Sequence, residues 1–310
     1  MKKLLIGLVL LVAAAAGTLY LSPSTLLATV QFAERQMAGL SARQVQVGEF
    51  TIHYYEGGPV DAPTLLLIHG FGADKDNWLR FSRPLTANYH VIALDLPGFG
   101  QSSKIANAPY DLNAQVARLE AFVRQLGLKQ VNVVGNSMGG QLAAMFAARY
   151  PEQVRSVALF ANAGITSPNK SELQSIIERG EPNPLIVTNA EDFERLMAFV
   201  FVKQPSMPAA LKQLFAERAI ASHDFNQKVF EQLMTPLLEL EPELGKIQAP
   251  TLLLWGDQDR LLDVSSIEVM KPLLKQSSAV VMQDCGHVPM VERPEETAGH
   301  YLAFLDGLNY

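Results

Sequence analysis

The five residues Gly135-Asn136-Ser137-Met138-Gly139 constrain this chain more than any other stretch. They follow an apolar β-type run, Val131-Asn132-Val133-Val134, and precede a helix-forming run over 141–150. A chain that passes from strand to helix in so few residues turns sharply, and a serine at the apex is pushed into the open with its hydroxyl exposed. Only small residues fit beside such a turn, which accounts for Gly135 and Gly139. The following helix aims its free amides and positive dipole end back at the serine, where they favour developing negative charge. The pattern therefore points to a strand–turn–helix unit carrying a nucleophilic Ser137.

The surrounding chain repeats the alternation of strand and helix. Strand patterns at 45–47 and 50–55 open the domain. Others follow at 64–68, 90–95, 131–135, 156–161, 251–255 and 279–283, with helical patterns at 76–87, 112–126, 138–149, 264–275 and 294–306. Such alternation predicts the α/β class: a mostly parallel sheet of about eight strands with helices on both faces. Between the strands at 156–161 and 251–255 lies an insertion, about 163–249, with no clear strand pattern. It reads as short helices broken by prolines, with apolar side chains such as Leu196, Met197, Phe199, Phe201, Met207 and Leu214.

A serine nucleophile needs a base, and the base needs an orienting acid. The strand pattern ending at Trp255-Gly256 runs into Asp257-Gln258-Asp259-Arg260, so either Asp257 or Asp259 sits where a carboxylate could face the nucleophile. Spacing alone does not choose between them. The next strand pattern ends before Cys285-Gly286-His287. Of the six histidines, His287 is singled out by its strand-end loop and the preceding glycine. His53, His90, His223 and His300 lack such context.

Taken in order, His69-Gly70-Phe71-Gly72, Asp95-Leu96-Pro97-Gly98-Phe99-Gly100, the serine turn, Trp255-Gly256-Asp257-Gln258-Asp259-Arg260 and Gly286-His287 resemble the α/β-hydrolase superfamily. The resemblance implies the α/β-hydrolase fold, with the insertion as a helical lid. It assigns Ser137, Asp259 and His287 as the catalytic triad, choosing Asp259 over Asp257. With the geometry of the turn, it assigns the backbone amides of Phe71 and Met138 to an oxyanion hole. His69 reads as a residue that holds its loop, and the Asp95 segment as a structural turn. Some members of the superfamily carry the acid one strand earlier, but that position here is Asn162, which cannot serve as an anion. Serine at the turn also separates the chain from relatives with an aspartate nucleophile.

The N-terminus carries a second signal. Met1-Lys2-Lys3 precedes an apolar run over 4–21, and no charge follows until Glu34. As a helix this run is about 27 Å long, close to the roughly 30 Å of a bilayer core. It reads as an uncleaved transmembrane anchor over 1–23, and Ala14-Ala15-Ala16 before Gly17 leaves signal-peptide cleavage and secretion as the alternative. With the lysines cytoplasmic, the catalytic portion faces the periplasmic side of a bacterial inner membrane. Residues 24–41 read as a juxtamembrane helix capped by Ser24. Its stripe of Leu26, Val30, Ala33, Met37 and Leu40 suits packing on the hydrolase domain, contact with the bilayer, or a homodimer seam. The hydrolase domain then spans 42–310.

Anchor, amphipathic helix, serine turn and lid together resemble membrane-anchored bacterial phospholipases A and monoacylglycerol lipases. That resemblance implies an acyl-ester lipid substrate, with fatty-acid release from glycerophospholipids and lysophospholipids. Monoacylglycerol lipase, short-chain esterase or thioesterase action is the alternative, and a non-catalytic receptor on the same fold a more distant one. The net charge of −6 argues against nucleic acid as a partner. One cysteine excludes an intrachain disulfide. Metal-ligand types do not cluster, and triad chemistry requires neither a metal nor an organic cofactor. If the anchor is retained, alkaline carbonate washing of membranes leaves the protein in the pellet, whereas complete release would indicate a cleaved, soluble form.

Overall fold

Side chains that alternate between two buried faces build the centre of the molecule, and the computed structural model describes it over residues 22–235 and 239–308. The eight strands are β1 (Leu40–Val47), β2 (Phe50–Gly57), β3 (Thr64–Ile68), β4 (His90–Leu94), β5 (Val131–Asn136), β6 (Val154–Phe160), β7 (Thr251–Gly256) and β8 (Ser277–Met282). They form one sheet in the order β1-β2-β4-β3-β5-β6-β7-β8. The first two pairings, β1 with β2 and β2 with β4, are antiparallel, and all later ones are parallel. Every residue of β3, β4, β5 and β7 is buried, as expected for strands covered on both faces.

Leu66 and Ile68 of β3 join the core beneath the helices Leu112–Gln125 and Met138–Arg149. Leu65 and Leu67 point the other way, into a core with Trp78, Phe81, Ala298 and Tyr301. One strand thus feeds two cores because its side-chain period is two. Because β3 pairs with both β4 and β5, the strand order reverses beside β3. The crevice at the carboxyl ends of β3 and β5 is the topological switch point where ligands bind in open α/β sheets.

The insertion between β6 and β7 contains five helices among the described residues: Glu172–Glu178, Ala190–Val200, Ala209–Ala221, His223–Met234 and Glu241–Leu244. It has its own small core of Val187, Phe193 and Ala216, against which Leu196, Met197 and Phe215 pack.

The N-terminal helix departs from expectation in three ways. It runs Pro23–Met37, with Ser22 rather than Ser24 as its N-cap; the Ser22 hydroxyl accepts from the Thr25 amide at 3.3 Å. Proline fits the first helical position because its missing N–H would be unpaired there anyway. The helix stops before Gly39, which takes φ +64°, and Leu40 already belongs to β1. Most of its apolar stripe, moreover, does not face the domain. Val30, Phe32 and Met37 are exposed, and the docked face carries Gln31, Glu34 and Arg35 beside the buried Leu27. Gln31 donates to Asp76, Glu34 accepts from Arg80 and Arg83, and the Arg35 guanidinium lies 5.7 Å from the centre of the Tyr55 ring. Of the stripe, Leu40 is buried in the domain core and Leu26 is half-buried, whereas Val30, Ala33 and Met37 are exposed. Among the described residues no helix is long and apolar enough to cross a membrane, and the expected anchor at 4–21 lies outside them.

A buried charge network lies behind the loop that follows β3. Lys75 Nζ pairs with Asp95 Oδ2 at 2.6 Å, both side chains being buried. Asp95 also accepts from the Lys75 amide at 2.8 Å and the Gln101 amide at 2.8 Å, so nearly every lone pair of this buried anion is used. The Asp95 segment is thus a structural brace. Half-buried Asp74 nearby has its pKa raised to about 7, first by desolvation and then by the Asp76 and Asp95 charges. A carboxyl raised in the folded state holds its proton there while the unfolded chain releases it. Its contribution is therefore complete below its ordinary value near 4 and is lost as pH rises through about 7. Asp74→Asn keeps the oxygen that caps the Asp76 amide, and should flatten the fall in stability across that window. Thermal unfolding at a series of pH values checks this; an unchanged slope would discard the Asp74 contribution.

Candidate active site

Ser137 sits at the apex between β5 and the helix Met138–Arg149 with φ 58° and ψ −123°, a region non-glycine residues rarely enter. Strain of this kind, of order 1–3 kcal/mol, persists only where the surroundings over-determine it. Here they do. The Ser137 amide donates to Phe160 O at 3.0 Å, and its carbonyl accepts from the Ala163 amide at 3.0 Å. A Cβ on Gly135 would lie 2.1 Å from the Gly139 carbonyl oxygen, and one on Gly139 would lie 2.4 Å from the carbonyls of Ile68 and His69. The helix start therefore presses directly on the end of β3, and only glycine permits it.

The loop after β3 lies against the nucleophile. A Cβ on Gly70 would stand 3.0 Å from Ser137 Cβ, which sets the next residue, Phe71, beside the serine. Met138 occupies the first helical position, where an amide has no acceptor within the helix. His69 anchors this loop: Leu96 N donates to its Nε2 at 3.0 Å, which leaves Nδ1 to donate to Gly70 O at 2.7 Å. Complete burial pushes the His69 pKa down, so the ring is a neutral strut.

Asp259 and His287 come together from the loops after β7 and β8. His287 Nδ1 lies 2.8 Å from Asp259 Oδ2, both side chains being buried. Asp259 Oδ1 accepts from the amides of Leu261 at 2.8 Å and Leu262 at 3.0 Å, which fixes the carboxylate. Asp257 does not face the imidazole; its carboxylate meets the Cys285 amide at 3.4 Å. A carboxylate only accepts, so Nδ1 carries the proton and Nε2 keeps its lone pair. Nε2 is buried and has no hydrogen-bond partner among the described residues. The arrangement is that of a base oriented by an acid and waiting for a donor.

Asn136 ties this pair to the serine. Its side-chain amide donates to Phe160 O and to His287 O, each at 3.0 Å. The residue before the nucleophile thus holds the backbone of the histidine. Nothing in the sequence marked Asn136, because its partner lies 151 residues away. Cys285 is buried, and desolvation followed by the Glu292 charge pushes its thiol up to about 12, which removes it as a rival nucleophile. The histidines without motif context sit elsewhere: His90 bonds Thr64 and Glu56, and His300 lies near Glu296.

The insertion covers this site. Phe71 packs edge-on against Phe99 at 5.8 Å and against Phe230, from the helix His223–Met234, at 5.5 Å between ring centres. Arg260, next to Asp259, forms a fork with Glu172, donates to Ala198 O at 2.9 Å, and stacks over the Phe199 ring. The His287 amide donates to Val200 O at 2.9 Å. Phe230 and Arg260 are further residues that sequence reasoning missed, since a lid's contacts leave no local pattern.

Comparison with known proteins agrees with this geometry. Residues 63–294 match the alpha/beta hydrolase fold family. The chain is 62% identical to a membrane phospholipase A of known crystal structure, described as a bacterial virulence factor, with 99% of each chain covered and a TM-score of 0.92. It is 40% identical over 256 residues to Lipase 1 of Psychrobacter immobilis, covering 81% of this chain and 79% of that one. It is 30% identical over 294 residues to the monoacylglycerol lipase ABHD6 of Homo sapiens, covering 91% and 87%. With the strand order, the strained serine turn and the acid–histidine pair, these matches show that the chain belongs to the α/β-hydrolase family.

Proposed function

We propose that this enzyme is a membrane-anchored serine hydrolase that releases fatty acids from glycerophospholipids and lysophospholipids through an acyl-enzyme. The observation that carries the substrate class is the similarity to a membrane phospholipase A along 99% of both chains, a span that includes the N-terminal segment. Its likeness to monoacylglycerol lipases supports a second reading, a smaller glyceride ester as substrate.

In the proposed reaction, His287 Nε2 takes the Ser137 proton as Oγ attacks the ester carbonyl. The amides of Phe71 and Met138 receive the oxyanion, and Asp259 stabilises the imidazolium that forms. His287 then protonates the departing alcohol. A water deprotonated by the same nitrogen releases the fatty acid. Such donors are worth on the order of 3 kcal/mol each in the barrier. The half-exposed lid side chains Val200, Phe201, Met207 and Leu214 are not spent in the lid's own core and suit the acyl chain.

The domain division at 1–23, 24–41 and 42–310, with the lid at 163–249, belongs to the same proposal. So does a bacterial inner-membrane location with the catalytic portion on the non-cytoplasmic side. An anchor raises the effective concentration of a lipid substrate without any new contact at the site. The exposed Val30, Phe32 and Met37 support a bilayer surface or a second copy of the chain as neighbour to the N-terminal helix.

The test is fatty-acid release by detergent-purified full-length protein from a diacyl phospholipid, a lysophospholipid, a monoacylglycerol and a short-chain soluble ester. Release from the diacyl phospholipid is expected, and Ser137→Ala should fold yet lose at least about a thousandfold in rate. Near-normal hydrolysis by that variant would remove the triad. Release from the monoacylglycerol or soluble ester alone would keep the triad and replace the phospholipid.

A further inference from the structure

The lid leaves its helix Ala190–Val200 through residues 200–203, and that short segment lies directly on the histidine loop. The contact is made by backbone. The His287 amide donates to Val200 O at 2.9 Å. A Cβ on Gly286 would stand 2.6 Å from the same oxygen and 3.1 Å from Glu292 Oε2, so the residue before the histidine has no room for a side chain.

Glu292 closes the contact from the other side. It ends the short helix Pro289–Glu292, and its carboxylate accepts from three amides in two segments. Oε2 takes Gly286 N at 3.0 Å and Val202 N at 3.3 Å; Oε1 takes Lys203 N at 2.7 Å. Among the described residues no Lys, Arg or His forms an ion pair with it, and the adjacent Arg293 is turned to Gln283 O and Glu296. The charge is therefore committed to these amides, and bonds of that kind are about twice as strong as neutral ones. The two backbone polar groups of His287 are thus held by different parts of the fold. Its carbonyl is held by Asn136, beside the nucleophile. Its amide is held by the lid, and Glu292 fixes the lid to the residue before it.

We propose that Glu292 is a positioning residue for His287, clasping residues 202–203 of the lid to the histidine loop so that the base lines up with Ser137 only while this end of the lid is seated. This rests on the reading of His287 as the general base. The clasp makes lid seating a condition for turnover rather than for substrate binding alone.

Glu292→Gln tests the clasp, because its NH2 group turns one acceptor into a donor facing an amide. Glu292→Asp keeps the charge but retracts it by one methylene, so it cannot reach all three donors. Full-length protein in detergent is titrated with a fluorophosphonate to count competent Ser137 sites. Turnover of one ester substrate is then expressed per labelled site. The expected result for E292Q is a kcat per site lowered by between about ten- and a hundredfold, as for a small misplacement of a catalytic group, with KM nearly unchanged; E292D falls between it and the wild type. A merely structural role would lower the unfolding temperature and the labelled fraction but leave kcat per labelled site at the wild-type value. That result in E292Q, or in E292D if E292Q yields no folded protein, would overturn the proposal. Failure of the wild-type protein to label at Ser137 is a different outcome and would overturn the serine-hydrolase reading instead.

Discussion

The helix after Ser137 meets the end of β3 backbone to backbone, with no room for a side chain between them. Gly139 lies against the carbonyls of Ile68 and His69, and Gly135 against Gly139 itself. This contact forces Ser137 into its positive-φ turn. It also sets the loop carrying Phe71 beside the serine, because that loop is the direct continuation of β3. Ser137 and the Phe71 loop are thus positioned by one steric constraint, which two central parallel strands impose. The buried Lys75–Asp95 pair and the neutral His69 strut stiffen the loop from behind. A buried pair of this kind is weak evidence for added stability. Its clearer consequence is geometric, since the anion's lone pairs are spent holding the backbone of Lys75 and Gln101.

Asp259 and His287 are placed by a different means. Their loops follow β7 and β8, toward the far edge of the sheet, and reach the serine through hydrogen bonds rather than through close packing. Asn136 holds the histidine from the nucleophile side, and the lid holds it from the other. Arg260 fastens the lid to the aspartate loop in the same manner. The insertion is therefore attached to each element of the candidate site: to the Phe71 loop through Phe230, to the Asp259 loop through Arg260, and to the His287 loop through Val200 and Glu292. A covering segment attached in this way shapes the pocket and supports the catalytic groups together.

Much of the fold was legible in the chain. The strand at 64–68 and the helix at 138–149 appear within their expected bounds, because buried parallel strands are short continuous apolar runs and the elbow glycines mark the next element sharply. The N-terminal helix shows where periodicity misleads. A stripe at helical spacing told correctly of a helix, but not of which side would dock. Its domain-facing side is chosen by Asp76, Arg80 and Arg83, charged partners about fifty residues downstream. A hydrophobic pattern carries no information about such partners. The expected helix at 76–87 is likewise broken into the short pieces Lys75–Trp78 and Leu79–Ser82 by the demands of the network around Asp95.

By itself the sequence determined what depends on neighbours along the chain: the α/β alternation, the serine turn with its glycines, a histidine after the last strand and an acid at 257 or 259. These are local matters of backbone conformation and side-chain period. Only the tertiary structure decided what depends on residues far apart. It paired His287 with Asp259 and left Asp257 to the Cys285 amide. It made Asn136 the tie between His287 and the Ser137 turn, and it brought Glu292 onto the lid. The physical reason is that hydrogen bonds and ion pairs between distant segments are short-ranged in space yet unrelated to spacing in sequence, so no local pattern records them.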